Sequence, residues 1–263
     1  MPWFMYFLIA LAVSATGFIR LVYFVSIGYA FSIAGAAISA LILHAAGVTP
    51  LTLVHGALLI VYGLRLGTYL VLREQKSAYS REAEDVKKMA HGVGMPKKIL
   101  IWLGVSSLYV MMFSPLHFSL LLGLVPGAVL SYFGVAVMAM GLGLEAAADF
   151  QKSRFKDTHP DDYCSTGLYT IVRCPNYLGE IIFWTGNLVA GAWALKTWWA
   201  WLMVATGYVC IVLIMMGSTK RLEQKQDERY GERDDYKSFV RTVPVLFPFI
   251  PLYSLKNIKV YLE

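Results

Sequence analysis

Seven stretches of this chain are apolar for long enough to dictate what it can become. They cover roughly residues 4–19, 21–43, 51–72, 99–114, 117–142, 178–195 and 198–217. A transmembrane helix needs about 20 predominantly apolar residues. Within hydrocarbon only helices and closed barrels satisfy their own backbone. The expected fold class is therefore an all-α integral membrane protein, a bundle of seven transmembrane helices joined at a turn over Ser114–His117 and by a polar loop over 73–98 with a helical middle. One membrane domain is expected over residues 1–263. Composition agrees: 15% of residues are charged and the mean hydropathy is +0.57, whereas soluble domains are about a quarter charged. The first stretch is short for a span. It lacks the basic leader and clear cleavage site of a signal peptide.

Charge sets an expected orientation. Of 23 Lys and Arg residues, Arg20, seven in 73–98, four in 143–177 and nine in 218–263 fall on one side of the expected bundle. Lys196 falls on the other, and Arg65 lies inside a span. Basic loops stay cytoplasmic, so the N-terminus is expected outside and the C-terminal tail in the cytoplasm. The formal charge of +6 reflects this asymmetry, and no nucleic-acid motif accompanies it. Cys164, Cys174 and Cys210 are odd in number and lack metal-ligand spacing, so free thiols and no metal are expected.

Polar chemistry concentrates where the spans meet the basic side. Residues 167–191, GLYTIVRCPNYLGEIIFWTGNLVAG, run from a short polar loop into an apolar helix. Arg173, Asn176, Tyr177 and Glu180 stand at that junction. Spacings of three and four place Asn176, Tyr177 and Glu180 on one helical face, and Pro175 suits the first turn. A helix N-terminus with free N–H groups favours anions. The same residues also fit a plain helix cap beside an interfacial tyrosine. Upstream, Glu145, Asp149, Lys152 and Lys156 share a face of the helix that continues the fifth span. The GLGLEA run there matches G-x-G-x-x-A only superficially, since it follows a membrane helix rather than a strand. Gly141 and Gly143 are expected to admit close helix packing.

The first half carries fewer polar groups. Ser26, Tyr29 and Ser32 are spaced for one face of the second span; hydroxyls bonded to their own helix backbone are the plainer reading. His55, Tyr62 and Arg65 form a stripe on the third span. An arginine within hydrocarbon costs at least ~2.5 kcal/mol, so Arg65 should face protein or water unless it snorkels to the interface.

Three blocks in this order, GLGLEAAADFQK (141–152), GLYTIVRCPNYLGEIIFW (167–184) and STKRLEQKQDERYGERDDYKSFVRTVPVLFPFI (218–250), resemble the steroid 5-alpha-reductase family, including its bacterial membrane-reductase branch. The segment VYGLRLGTYLVLRE (61–74) is similar to that family's W/Y-x-x-R-L segment. The resemblance covers about residues 55–250 and departs from the usual R-H-P-N-Y at Cys174. It implies a seven-helix enzyme of a bacterial inner membrane, or of the endoplasmic reticulum in a eukaryote. Its active site would open to the cytoplasm and take NADPH as cofactor. The implied reaction is hydride transfer to the β-carbon of an enone, typically a 3-oxo-Δ4 steroid. Carried over by position, Asn176 and Glu180 match residues at the nicotinamide end. Glu145, Asp149, Lys156 and Tyr163 match cofactor contacts, and Glu223, Tyr236 and Arg241 fall in the block that closes over the cofactor. Arg173 and Tyr177 join the cofactor set. Tyr62 matches the tyrosine that polarises the 3-keto oxygen, and Arg65 a cofactor-side arginine.

Catalysis is thus assigned to Tyr62, His55 and Glu180, and substrate binding to Ser26, Tyr29 and Tyr62. In the family's animal steroid reductases a glutamate from an earlier helix pairs with the tyrosine, but this chain has no acidic residue before Glu74. Ser26, Tyr29, His55 or Glu74 could substitute. The expected partners are the bilayer and a sterol-like substrate, with the chain acting as a monomer. A competing assignment is a methyltransferase of the isoprenylcysteine or phospholipid type, using S-adenosylmethionine and sharing an R-H-P-x-Y-like entry. A membrane scaffold or carrier without catalysis is the third.

Overall fold

In the computed structural model, which describes residues 2–74, 93–123 and 129–258, every regular element is a helix. Eight α-helices follow in order: α1 (Pro2–Ser14), α2 (Ile27–Leu43), α3 (Pro50–Glu74), α4 (Met95–Leu122), α5 (Val129–Thr158), α6 (Pro175–Ala192), α7 (Trp198–Tyr230) and α8 (Asp234–Thr242). Among the described residues, five segments are long and apolar enough to cross a membrane: Leu21–Leu43, Pro50–Arg73, Met95–Leu122, Val129–Thr158 and Trp198–Tyr230. They are compatible with a multi-pass membrane protein. Pro2–Phe18 is apolar but shorter. Helix α6 carries Asn176, Glu180 and Asn187 within eighteen residues and falls outside the five. Phe4, Leu100, Phe133 and Leu202 expose large apolar side chains, as lipid-facing surfaces require. The expected helix in the middle of the 73–98 loop lies outside the described residues.

The chain divides into two compact units. The first comprises Met1–Val135 and Asn187–Gly207. Small residues decide how its helices meet. A Cβ on Gly63 would lie 2.3 Å from the Ala30 carbonyl oxygen and 2.9 Å from the Ala34 Cβ. Only glycine lets α3 come this near to α2, the small-residue packing that membrane helices use where hydrophobic drive is weak. Polar links tie α1 to α4: Ser14 and Ser106 hydroxyls are 2.9 Å apart, and Trp102 Nε1 donates to the Leu11 carbonyl at 2.9 Å.

The expected turn at Ser114–His117 is absent. Helix α4 runs unbroken from Met95 to Leu122 with Pro115 inside it. A proline there withholds the N–H that Met111 O would have accepted. Ser114 Oγ donates to Met111 O at 2.6 Å instead. The neighbouring hydroxyl thus repairs the orphaned acceptor, one of the ways membrane helices tolerate proline. The helix stops at Gly123, whose φ of +69° suits glycine.

The second unit comprises Ala136–Gly186 and Tyr208–Glu263. Its core contact is α5 against α6. A Cβ on Gly141 would meet Phe183 N at 2.4 Å, and one on Gly179 would meet Glu145 N at 2.6 Å. Gly143 has nothing within 4 Å, so the packing expected of it is not found. The GLGLEA run is helical throughout, within α5.

Candidate functional site

In the first unit, Tyr62 is fully buried and Tyr29 nearly so. Their hydroxyls lie 2.7 Å apart, and the Tyr29 ring leans on Tyr109 at 5.5 Å between centroids. Tyr109 donates to the Phe24 carbonyl, which fixes that ring from the far side. Tyr29, one of the groups weighed as a substitute for the family's glutamate, is thus within hydrogen-bond distance of Tyr62. Ser26 Oγ donates to Val22 O at 2.9 Å, a bond within its own turn. Glu74 ends α3, three turns beyond Tyr62. Arg65 lies one turn beyond Tyr62 on α3.

His55 is two turns from Tyr62 along α3 and has a different partner. Its Nε2 is 2.8 Å from Asn187 Oδ1, and Asn187 Nδ2 donates to Met112 O at 2.9 Å. Both side chains are 2% exposed. The Met112 carbonyl can only receive an N–H, so it fixes the amide's orientation. The oxygen then faces His55, and Nε2 carries a proton. Asn187 was missed in the sequence. A lone asparagine within IIFWTGNLVAGA was the available signal, since such a group in an apolar helix needs a partner.

The second unit gathers most of the expected cofactor set. Glu145, Asp149 and Glu180 are buried, on the facing segments of α5 and α6 that meet through Gly179. Tyr177 is half-buried on the first turn of α6. Asn176, beside it, makes no side-chain hydrogen bond among the described residues.

Other members of the set are engaged with the protein itself. Arg173 Nη2 pairs with Glu223 Oε1 at 2.8 Å, both side chains almost wholly buried. Glu223 Oε2 accepts from Leu255 N at 2.8 Å, and Arg173 also donates to the Tyr253 carbonyl. The backbone of Arg173 and Cys174 donates to Pro244 O and Val245 O. The C-terminal segment is thus strapped onto the entrance of α6. Lys156 Nζ donates to the carbonyls of Pro160 and Asp162, closing the end of its own helix.

Tyr163, Tyr230 and Tyr236 pack as one aromatic cluster. Tyr236 donates to Asp227 at 2.8 Å and Tyr163 to Asp235 at 3.2 Å. Burial first, then the neighbouring carboxylate, raises the pKa of both phenols. Arg233 bridges Asp162 and Asp235, and its hydrogen bond holds the Asp235 carboxyl down to about 2. Arg241 is exposed in the last turn of α8. Burial pushes the Cys174 thiol up to about 12, so it is not a ready nucleophile.

Comparison with curated proteins finds no match, and comparison with solved structures finds none. A family model described as "protein of unknown function (DUF1295)" matches residues 3–243, which include the Tyr29–Tyr62 pair, the α5–α6 carboxylates and the Arg173–Glu223 pair. The chain belongs to the DUF1295 family.

Proposed function

We propose that this protein is a seven-span membrane reductase that uses NADPH to saturate the double bond of a lipid enone, with a 3-oxo-Δ4 steroid as the reference substrate. Its N-terminus lies outside and its tail in the cytoplasm, following the basic loops. The observation that carries the reading is the buried hydroxyl pair, Tyr62 Oη at 2.7 Å from Tyr29 Oη.

Reduction at the β-carbon of an enone drives negative charge onto the carbonyl oxygen. A preorganised donor aimed at that oxygen stabilises the charge as it forms. A phenol stays protonated at neutral pH and can be that donor. Tyr62 serves in this role. Either hydroxyl of the pair can donate; in this reading Tyr29 is the donor and Tyr62 offers its proton to the substrate. A neutral tyrosine here replaces the family's carboxylate, so the pair carries no charge to bury.

The donor set of the second unit suits a dinucleotide. Arg173 is buried, and its Nε and Nη1 have no acceptor among the described residues. Buried N–H groups of a cation call for an anionic or carbonyl partner. Asn176 lies three residues on, in the first turn of α6, where the helix dipole also favours negative charge. Arg173, Asn176, Tyr177 and Glu180 would hold the cofactor, with Glu145 and Asp149 on the facing helix. When bound, NADPH supplies the hydride.

The test is a titration of the purified protein in lipid nanodiscs with NADPH, NADH and S-adenosylmethionine. Tighter binding of NADPH than NADH is expected, because the 2′-phosphate adds charge for the basic side to pair with. Equal affinity for the two nicotinamides would contradict the cofactor preference. Binding of S-adenosylmethionine alone would favour the methyltransferase.

A further inference from the structure

A polar cavity lies in the first unit, at the end of α3 remote from Arg73. It is formed where α3 and α5 begin and α4 and α6 end, and it leaves ≈ 60 Å³ in which a water molecule can be centred. One water needs roughly 10–15 Å³ on such a scale, so the space admits the head of a small amphiphile. Thr49 and Thr52, which also line it, are committed to each other: Thr52 N donates to Thr49 Oγ1 and Thr49 N to Thr52 Oγ1, a closed cap on α3.

Two buried lining groups are not committed. His55 uses Nε2 on Asn187, so Nδ1 remains its acceptor, and no hydrogen bond reaches Nδ1 among the described residues. Ser131, 8% exposed, has no hydrogen-bond partner among the described residues. One acceptor and one hydroxyl that can donate match what an alcohol offers in return. Among the described residues no Lys, Arg, Asp or Glu lines the cavity. An anionic or cationic head would have no counter-charge there, and burying it would be costly.

The rim indicates where the ligand comes from. Tyr132 and Trp193 line the cavity and are 61% and 43% exposed. Lys196 Nζ stands 4.5 Å over the Trp193 ring. Exposed Trp and Tyr with a neighbouring lysine mark the level where lipid meets water. Leu51, Leu122 and Val135 give the same cavity an apolar wall.

We propose that this cavity binds a neutral lipid alcohol drawn from the membrane. Its hydroxyl donates to His55 Nδ1 and accepts from Ser131 Oγ, while its chain follows the apolar wall toward lipid. The site is separate from the Tyr29–Tyr62 pair and does not depend on the reductase reading.

The experiment uses the full-length protein in nanodiscs with 1-tetradecanol, against tetradecyl methyl ether and tetradecanoate as controls. The ether differs by loss of the donated hydrogen, the acid by its charge. Tetradecanol is expected to raise the unfolding temperature in a saturable way, and the two controls are not. Ser131→Ala removes one hydrogen bond from a small side chain and should weaken tetradecanol binding about five- to tenfold. A diazirine-bearing tetradecanol should label the segments around residues 51–55 and 131–135, and excess tetradecanol should suppress that labelling. Equal stabilisation by alcohol and ether, absence of stabilisation by the alcohol, unchanged affinity in Ser131→Ala, or labelling elsewhere would each overturn the proposal.

Discussion

Tyr29 Oη stands 2.7 Å from Tyr62 Oη, on two helices that approach through Gly63 lying against Ala30 and Ala34. The distance is that of a hydrogen bond between hydroxyls. The close approach of α2 and α3 is what allows two rings to meet hydroxyl to hydroxyl in an apolar bundle.

If Tyr29 orients the Tyr62 proton, Tyr29→Phe should slow reduction about fivefold. That is the effect of one neutral hydrogen bond of roughly 1 kcal/mol expressed in the transition state. The ring contact with Tyr109 survives the change, so the unfolding temperature should fall only slightly. Turnover at saturating NADPH, beside a melting curve, separates the two effects. A wild-type rate in Tyr29→Phe would reduce Tyr29 to packing.

The buried pair of Arg173 and Glu223 should matter before any cofactor arrives. Glu223→Ala leaves a buried guanidinium without its carboxylate and frees the Leu255 N–H it accepts from. Breaking one side of such a pair costs about 3–5 kcal/mol. Thermal unfolding of the nucleotide-free protein is expected to drop by many degrees. No change would mean that Glu223 is held chiefly for the cofactor.

Cys174 should be inert, because burial raises its thiol from 9.0 to about 12. Maleimide at pH 8 is expected to label Cys174 far more slowly in the folded protein than in denaturant. The sign of the pH effect follows: the folded state favours the protonated thiol. Its contribution to stability is therefore complete below about pH 9 and is lost as pH rises toward 12. Cys174→Ala should flatten that part of the alkaline stability curve with little effect on turnover. Rapid labelling at pH 8 would show the site to be open.

Much of the bundle was legible because apolar blocks are a local signal, and the structure keeps long helices over most of them. The break between the fourth and fifth was set wrongly at Pro115, since proline reads as a turn when the serine before it is not counted as a substitute donor. Gly141 packs against α6 and Gly143 does not, because residues two apart point to nearly opposite sides of a helix; GLGLEA alone does not say which side meets the partner. The polar pairings within each unit span long separations: Tyr29 with Tyr62 and His55 with Asn187 in the first, Arg173 with Glu223 in the second. Residue types in a motif announce that polar groups must be satisfied, but which group satisfies which depends on helix packing. Arg173 and Glu223 were both assigned to a cofactor, and they also hold each other.

The central claim rests on the Tyr62 hydroxyl, and Tyr62→Phe removes only that atom from a ring with no exposed surface. An oxyanion donor is worth about 10²–10³-fold in rate. The measurement is NADPH consumption with a 3-oxo-Δ4 steroid, wild type beside Tyr62→Phe, together with NADPH affinity for each. The account predicts turnover by wild type, a fall of about that size in kcat for the variant, and nearly equal NADPH affinity. Normal turnover by Tyr62→Phe, or no reduction of any enone by wild type, would contradict it.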